Sequence, residues 1–565
     1  MNVAPGRNRF GLFILLRRLR YPLAVVVLVY AVAVFGFTLV PGVDPEGRPW
    51  TMSFLEAFYF VSILGTTIGL GEVPHPFSDL QRLWATVAIY ATVISWLYAL
   101  GAFFSVLQDP MFRRILHEGK VERAVRRLRE PFHLICGYDD AGSRVARELT
   151  EDGRRLVVVE IDAARADEVD IEDLTIQVPA MAGDASDPKT LMLAGLTHPK
   201  CAGVVALTGD DYVNIKIALT ARLLNPELPV LCAVRDHAAH ARMAAAGADY
   251  LINPFDTFAE RVAISIRTPS LHVIYESLTT QTGTAFDDVP QLPRGRWVLC
   301  GFGRFNRALR RHLERLGVET VVVATELDDS CDADNSVCGD PTDPAVLRRA
   351  EVERATALVA GTPVDIDNLA IVLAGRALNK RIFIVARETQ RRNAAVFRAA
   401  PADLVTLSGY VIAAEVLRVI RTPQLARFLR LARDQDEEWA AALLARMREV
   451  IGDEVVEPWS IDCSPLVAPT LCDALAHRQT VTIGRLMMRT DLSAEPEHAV
   501  PLLLQRDQSR ELLPALDTLL KVGDRVLFCG RARARSAMRR LVISHALPDL
   551  PAAASGGGMV PIGLA

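Results

Sequence analysis

Three short stretches of the 565-residue chain carry residue types at spacings that could do chemistry. The first is Gly65–Glu72, GTTIGLGE, in which Gly69 and Gly71 alternate with Ile68 and Leu70 behind Thr66 and Thr67. Glycine permits positive φ while Thr67, Ile68 and Leu70 keep the chain extended, so successive carbonyls can turn towards one axis. A ring of such oxygens replaces the hydration shell of a cation. The second is a pair of glycine turns, CGYDDAG from Cys136 and CGFGRFN from Cys300, each behind a short apolar run. Where a helix follows such a turn, its free N–H groups attract phosphate. The third is the acidic ELDDSCDADN at 326–335. There Asp328, Asp329, Asp332 and Asp334 offer oxygen ligands to calcium or another divalent ion, without EF-hand spacing; a solvated loop is the alternative.

The cation-facing stretch needs a scaffold, and its flanks supply one. Tyr21–Val40 is uncharged and long enough to cross a hydrocarbon core of ~30 Å as a helix. Leu83–Leu107 is a second uncharged run that spans with tilt. The first run exceeds the ~7–15 residues of a signal peptide's apolar region, and no small-residue cleavage site follows. Arg7, Arg9, Arg17, Arg18 and Arg20 precede the first run; Arg113, Arg114, Lys120, Arg123, Arg126, Arg127 and Arg129 follow the second. The loop between them holds Asp44, Glu46, Glu56, Glu72 and Asp79 against Arg48 and Arg82. By the positive-inside rule both termini are cytoplasmic, and the chain is expected in the inner (plasma) membrane, in contact with lipid. Between the spans, Ser53–Leu64 is too short to cross. Ser53 and Glu56 have capping-box spacing, which predicts a helix start there. A half-helix returning from the outer face and ending at Gly65 aims its partially negative end at the same ion.

The order of span, half-helix, glycine stretch and span resembles the potassium-channel family. Its T-V-G-Y-G-D signature is matched by Thr67, Ile68, Gly69, Leu70, Gly71 and Glu72, with Thr66 preceding. The resemblance implies K+ as the permeant ion and a homotetramer, since one chain supplies a quarter of a ring. Leu70 stands where the family has a tyrosine that braces the filter through its hydroxyl, and Glu72 where it has aspartate. A non-selective cation channel is therefore the alternative. No arginine-every-third-residue helix precedes the pore, so no voltage sensor is expected. Ala91 occupies the place of a frequent hinge glycine, which shifts bending to Gly101 or Ser95. Trp96 and Leu97 suit an apolar constriction, lipid-facing packing being the alternative for Trp96.

Beyond Pro131 the sequence repeats. HLICGYDDAG (133–142) matches WVLCGFGRFN (297–306), and AGDASDPKTLMLAGL (182–196) matches CGDPTDPAVLRRAEV (338–352). LTGDDYVN (207–214) matches GTPVDIDN (361–368), AVRD (233–236) matches VARE (385–388), and IRTP closes both copies. Short Val/Ile/Leu runs alternate with amphipathic stretches, the pattern of a parallel sheet with helices on both faces. The glycine turns, Gly183-Asp184, Gly339-Asp340 and the pairs Asp211/Asn214 and Asp365/Asn368 resemble the regulator-of-potassium-conductance (RCK) domain, which is similar to TrkA-N. The resemblance covers roughly 131–435. It implies a cytoplasmic gating ring that binds NAD, an adenine nucleotide or a divalent cation. KVGDRVLFCGR (521–531) looks like the end of the family's smaller C-terminal subdomain.

The candidate ligand residues differ between copies. In the first, Gly137 and Gly142 form the turn, Glu160 and Asp162 end the second strand where ribose hydroxyls bind, and Asp184 follows the third. Asp139 and Asp140 sit at the helix N-terminus and repel phosphate. In the second, Gly301 and Gly303 allow close approach and Arg304 and Arg307 add positive charge. Asn306 lies in the turn, Asp340 follows the third strand, and Ala324 leaves Glu326 as the nearby carboxylate. The second copy is expected to be the better phosphate site; the alternative is that both are empty scaffolds.

No Walker lysine, G-x-S-x-G or H-E-x-x-H accompanies the repeats, so an enzyme is not expected. The weighed alternatives are a membrane-tethered dehydrogenase and a membrane-anchored TrkA-like regulatory subunit of a potassium transporter. Nine cysteines without a C-x-x-C pair indicate neither zinc nor disulfides, and a net charge of −4 gives no support for nucleic-acid binding. The expected fold class is a membrane α-helical pore domain, two α/β Rossmann-like RCK domains and a small α+β C-terminal subdomain. The expected division is a cytoplasmic N-terminus (1–20), pore domain (21–107), linker (108–130), first RCK domain (131–290), second (291–435), C-terminal subdomain (436–548) and flexible tail (549–565).

Overall fold

The computed structural model describes residues 7–44, 46, 48–66, 68, 71–279, 291–326, 335–452, 454–477, 480–488 and 497–543. Helix α1 (Arg7–Leu39) contains the first uncharged run. Helix α2 (Phe54–Gly65) starts at Ser53, whose side chain accepts from the Glu56 N–H while the Glu56 carboxylate takes the Ser53 N–H, the predicted capping box. At ~1.5 Å per residue its 12 residues make a half-crossing. Helix α3 (Asp79–Gln108) begins with a second reciprocal cap, Ser78 with Gln81, and runs unbroken past Ala91, Ser95 and Gly101. The Thr92 and Ser95 hydroxyls donate to the Ala88 and Thr92 carbonyls one turn back, the usual way to satisfy a hydroxyl in an apolar helix.

The two long helices pack through a glycine. A Cβ on Gly36 would lie 2.1 Å from the Trp84 ring, and the Trp84 indole N–H donates to the Ala33 carbonyl. Phe37, Phe60 and Phe77 close the end nearest the interhelical loops as an edge-to-face cluster, with ring centroids 5.1 Å (Phe37–Phe60) and 4.9 Å (Phe60–Phe77) apart. Most of the remaining helix surface is exposed and apolar, including Val27, Leu28, Phe35, Leu83, Tyr90 and Ile94. Such a surface suits lipid or further protein, not water.

Helix α4 (Pro110–Arg126) follows after a single residue, Asp109. Its Val121 and Val125 are buried among Phe132, Leu191 and Leu196, so the linker is seated on the first repeat. That repeat is a parallel sheet of β1 (Phe132–Cys136), β2 (Arg155–Glu160), β3 (Ala180–Ala182), β4 (Cys201–Ala206), β5 (Val230–Ala233) and β6 (Tyr250–Ile252), in the order β3-β2-β1-β4-β5-β6. The second repeats it with β7 (Trp297–Cys300), β8 (Thr320–Ala324), β9 (Ser336–Cys338), β10 (Ala357–Ala360), β11 (Phe383–Glu388) and β12 (Leu404–Leu407), in the order β9-β8-β7-β10-β11-β12. Residues such as Ile135 and Leu299 are fully buried, as strands covered on both faces require.

The cover is exchanged. Helix α5 (Asp140–Glu151) and helix α6 (Asp211–Leu224) lie on the first sheet. Helix α7 (Pro254–Arg267), which follows the last strand of the first sheet, instead buries Phe255, Phe258, Val262 and Ile266 against Trp297, Leu299 and Phe305 of the second. A short turn leads to α8 (Pro269–Thr279). The second repeat's own helices are α9 (Arg304–Arg315) and α10 (Asp365–Leu378), and α11 (Ser408–Arg421) returns the exchange. Its Ile412, Ala413, Val416 and Leu417 pack on Ile135, Val145 and Leu149 of the first repeat. A cut at 290/291 therefore separates the repeats in sequence but not in packing.

Thr268-Pro269 and Thr422-Pro423, the ends of the two IRTP motifs, are the turns into α8 and α12 (Pro423–Ala432). With α13 (Glu437–Ile451), these helices form a core against an antiparallel sheet of β13 (Glu457–Asp462), β14 (Ala499–Arg506), β15 (Ser509–Leu512) and β16 (Arg525–Gly530).

Candidate permeation path and nucleotide clefts

The capped half-helix delivers the chain to the glycine stretch. At its end the Thr66 hydroxyl and N–H both donate to the Ser62 carbonyl, and the Ile68 N–H reaches the Ile63 carbonyl at 3.3 Å. Thr67, Gly69 and Leu70 lie outside the described residues. Thr66, Ile68, Gly71 and Glu72 are exposed in the single chain. Gly71 has φ +91°, with no atom within 4 Å of a notional Cβ. Glu72 then ties the stretch to the second span: its carboxylate accepts from the Arg82 guanidinium at 2.8 Å and from the Phe77 N–H at 2.8 Å. Trp96 is turned to the first span, its indole N–H donating to the Tyr30 hydroxyl at 2.9 Å. Of the two expectations for Trp96 this favours packing over a constriction: the indole needs an acceptor in an apolar setting and finds it on α1.

In each repeat the first strand, glycine turn and helix form the cleft at the carboxyl end of the sheet. In the first, Gly137 has φ +100° and a Cβ there would meet the Thr208 N–H at 2.9 Å. A Cβ on Gly142 would fall 2.1 Å from the Gly137 carbonyl oxygen. Both glycines are thus demanded by the turn itself. Asp139 caps α5, accepting from the Ala141 and Gly142 N–H groups at 3.0 and 3.2 Å, and lies 3.7 Å from Arg235. Glu160 is buried, with one oxygen taking the Tyr138 N–H and the other the Asp162 N–H. It serves the turn and is not open to a ribose. Asp162 caps the helix Ala163–Ile171 and Asp184 accepts from the Ser186 N–H. Tyr138 is buried and donates to Glu172, and burial with that carboxylate pushes its phenol far above the ordinary range.

The second cleft is built alike, without a side-chain cap on its helix. Gly301 has φ +89°. Gly303 begins α9 with no side-chain cap, and nothing lies within 4 Å of a Cβ built there. Asn306 corrects another expectation. It is fully buried, its amide donating to the Cys300 and Gly301 carbonyls, so it locks the turn from inside instead of touching a ligand. Arg304 is exposed at the helix start, and Arg307 stacks on Phe302 with its guanidinium 4.5 Å from the ring centroid. Asp340 accepts from the Thr342 N–H and hydroxyl, which hold its carboxyl below the usual range. Glu326 is exposed after β8; Asp328, Asp329, Asp332 and Asp334 lie outside the described residues.

Arg387 was not singled out from sequence, although the repeat pairs it with Arg235. It sits over Phe255 and Phe305, and burial, with Arg304 and Arg235 nearby, lowers its guanidinium. Asn214 and Asn368 make matching networks: each side-chain oxygen accepts from a threonine N–H and hydroxyl (Thr208, Thr362), and each amide donates to the carbonyls of that threonine and of the next strand. These pairs join neighbouring strands.

Residues 24–109 match the ion-channel family model, and 133–254 and 297–408 match the TrkA-N domain model. Potassium channel protein 1 of Methanocaldococcus jannaschii is 24% identical over 229 residues, covering 40% of this chain and 67% of the relative. The same organism's probable potassium channel protein 2 is 25% identical, with 38% of this chain and 62% of the relative covered. The voltage-gated potassium channel Kch of Escherichia coli is 23% identical, with 34% and 44% covered. Among solved structures, the GsuK channel bound to NAD aligns with 94% of this chain and 99% of its own at 18% identity and a TM-score of 0.43. The chain thus joins an ion-channel domain to two TrkA-N domains and is similar to archaeal and bacterial potassium-channel proteins.

Proposed function

We propose that four copies of this chain surround one potassium-selective path, gated by a cytoplasmic ring of their tandem repeats. The observation that carries this reading is the capped half-helix α2, set between two spans and delivering Thr66–Glu72 to a Gly71 at positive φ, with Glu72 anchored to Arg82. The route from ring to pore is helical: α3 passes through Asp109 into α4, which is seated on the first repeat by Val121 and Val125. A stiff link of this kind transmits displacement. Assembly is supported by a matched apolar face, Tyr212 and Leu219 on α6 and Ile366 and Leu373 on α10, exposed at equivalent positions of the two repeats.

The ring's ligand is a phosphate-bearing nucleotide, NAD or an adenine nucleotide, held at the uncapped α9. Arg304 opens that helix, and Arg387 lies within its electrostatic reach. Recording from the purified protein in planar bilayers tests both parts. Potassium current should respond to nucleotide on the cytoplasmic side. Gly71→Ala, which forces a Cβ onto a left-handed backbone, should abolish current while the tetramer persists. Equal potassium and sodium permeability would make the protein a non-selective cation channel, and full current through Gly71→Ala would remove the filter assignment.

A further inference from the structure

One hydroxyl joins all three membrane helices. Gly65, the last residue of α2, is buried, and a Cβ built there would lie 1.8 Å from the Tyr30 hydroxyl oxygen and 2.7 Å from its Cζ. That oxygen also accepts the Trp96 indole N–H at 2.9 Å. Tyr30 belongs to α1, Gly65 to α2 and Trp96 to α3. The contact is possible because residue 65 has no side chain, and it falls one residue before the stretch Thr66–Glu72.

The surroundings make this contact mechanically significant. At its middle, α2 is held by the Phe37–Phe60–Phe77 cluster. Along the side facing α1 runs an open apolar groove of about 1100 Å³, lined in part by Val34, Phe35, Phe54, Phe58 and Trp84. Tyr30 and Trp96 line the same groove, so their hydrogen bond, like that from Trp84 to the Ala33 carbonyl, ties α1 to α3, here at the filter end of α2. In an apolar medium such a bond is not exchanged for water, and a phenol or indole deprived of its partner is left unsatisfied.

We propose that Tyr30 is a positioning residue for ion selection: its hydroxyl, seated on Gly65 and tied to Trp96, fixes the end of α2 and with it the first carbonyls of the filter. The inference rests on the reading of the chain as a cation channel. Carbonyl rings discriminate between ions by small differences in oxygen placement, and constellations of this kind lose function when their support loosens by ~0.5 Å. A brace from the first span therefore acts on selectivity without touching an ion.

The test uses the full-length protein in planar bilayers with mixed potassium and sodium. Tyr30→Phe removes one oxygen; Trp96→Phe removes the donor and leaves Tyr30 in place. Each should lower the potassium-to-sodium permeability ratio, or shorten open dwell times, about threefold or more, the worth of one buried hydrogen bond. The double variant should be no worse than either single, because both remove the same bond. A side chain that merely fills space would change tetramer stability and leave the ratio alone. Wild-type ratios and dwell times in both single variants, or fully additive losses in the double, overturn the proposal. Absence of cation current in the unmodified protein is a different failure, that of the channel reading itself.

Discussion

The two glycine turns share a strand, a left-handed glycine and a following helix, yet they spend the helix N-terminus differently. In the first, Asp139 accepts the free N–H groups of α5. In the second, the equivalent residue is Gly303, which gives α9 no side-chain cap, and Arg304 follows it. A carboxylate on the chain and a phosphate on a ligand compete for the same favourable end of a helix dipole. One copy of a duplicated fold can thus keep its anion built in while the other waits for one. The locking residue has changed too: Gly142 sits tightly under the first turn where buried Asn306 ties the second through its amide.

The largest expected effect breaks the comparison at that lock. Gly142→Ala drives a Cβ to 2.1 Å from the Gly137 carbonyl and should destabilise the first repeat by about 3 kcal/mol or more. Hydrogen exchange should then show lost protection in β1 and α5. Gly303→Ala meets no atom within 4 Å and should leave α9 as protected as before. Equal losses at both positions would mean that the turns are not built as described.

An intermediate effect exchanges the two roles. Gly303→Asp should supply the missing cap, worth about 1 kcal/mol, while weakening NAD or ADP binding about tenfold or more by placing a carboxylate where phosphate sits. Asp139→Gly should cost a similar ~1 kcal/mol and relieve the repulsion at the first turn. Calorimetry on the detergent-solubilised full chain measures both. Unchanged affinity in Gly303→Asp would move the ligand away from the second repeat.

The smallest effect concerns the residue after the paired arginines. Asp236 is exposed and caps a helix, whereas Glu388 is buried. Burial first, then the carboxylates Asp365 and Asp140, raise the Glu388 carboxyl above its ordinary 4.5, against the opposing pull of Arg398. A raised carboxyl favours the protonated folded state, so its contribution is full at acid pH and fades as pH rises through the shifted value. Glu388→Gln should therefore lift the melting temperature by ~2 °C near neutrality and leave it unchanged well below pH 4.5. Asp236→Asn, having no such burial, should show no matching gain.

Much of this contrast was legible before any coordinates. Asp139 against Gly303 and the arginines after Gly303 are visible in two aligned lines, as is the capping box at Ser53. Three things were not. Amphipathic periodicity says that α7 and α11 each bury a face but not which sheet receives it, and the repeat invites assignment to the nearer one. Asn306 has the chemistry of a ligand contact, and only the carbonyls within its reach reveal an internal lock. Arg387 lies more than eighty residues from Arg304, and their meeting depends on the order of strands in the sheet.

The exchange of α7 and α11 also sets a schedule for synthesis. Ile135 and Leu149 belong to the first part of the chain beyond the spans to leave the ribosome, but the helix that covers them ends at Arg421, about 290 residues beyond Ile135. At ~5–20 residues per second the first sheet waits roughly 15–60 s with one face incompletely covered, beside a membrane that already holds both spans. Folding of the nearer repeat is completed by the last helix of the farther one.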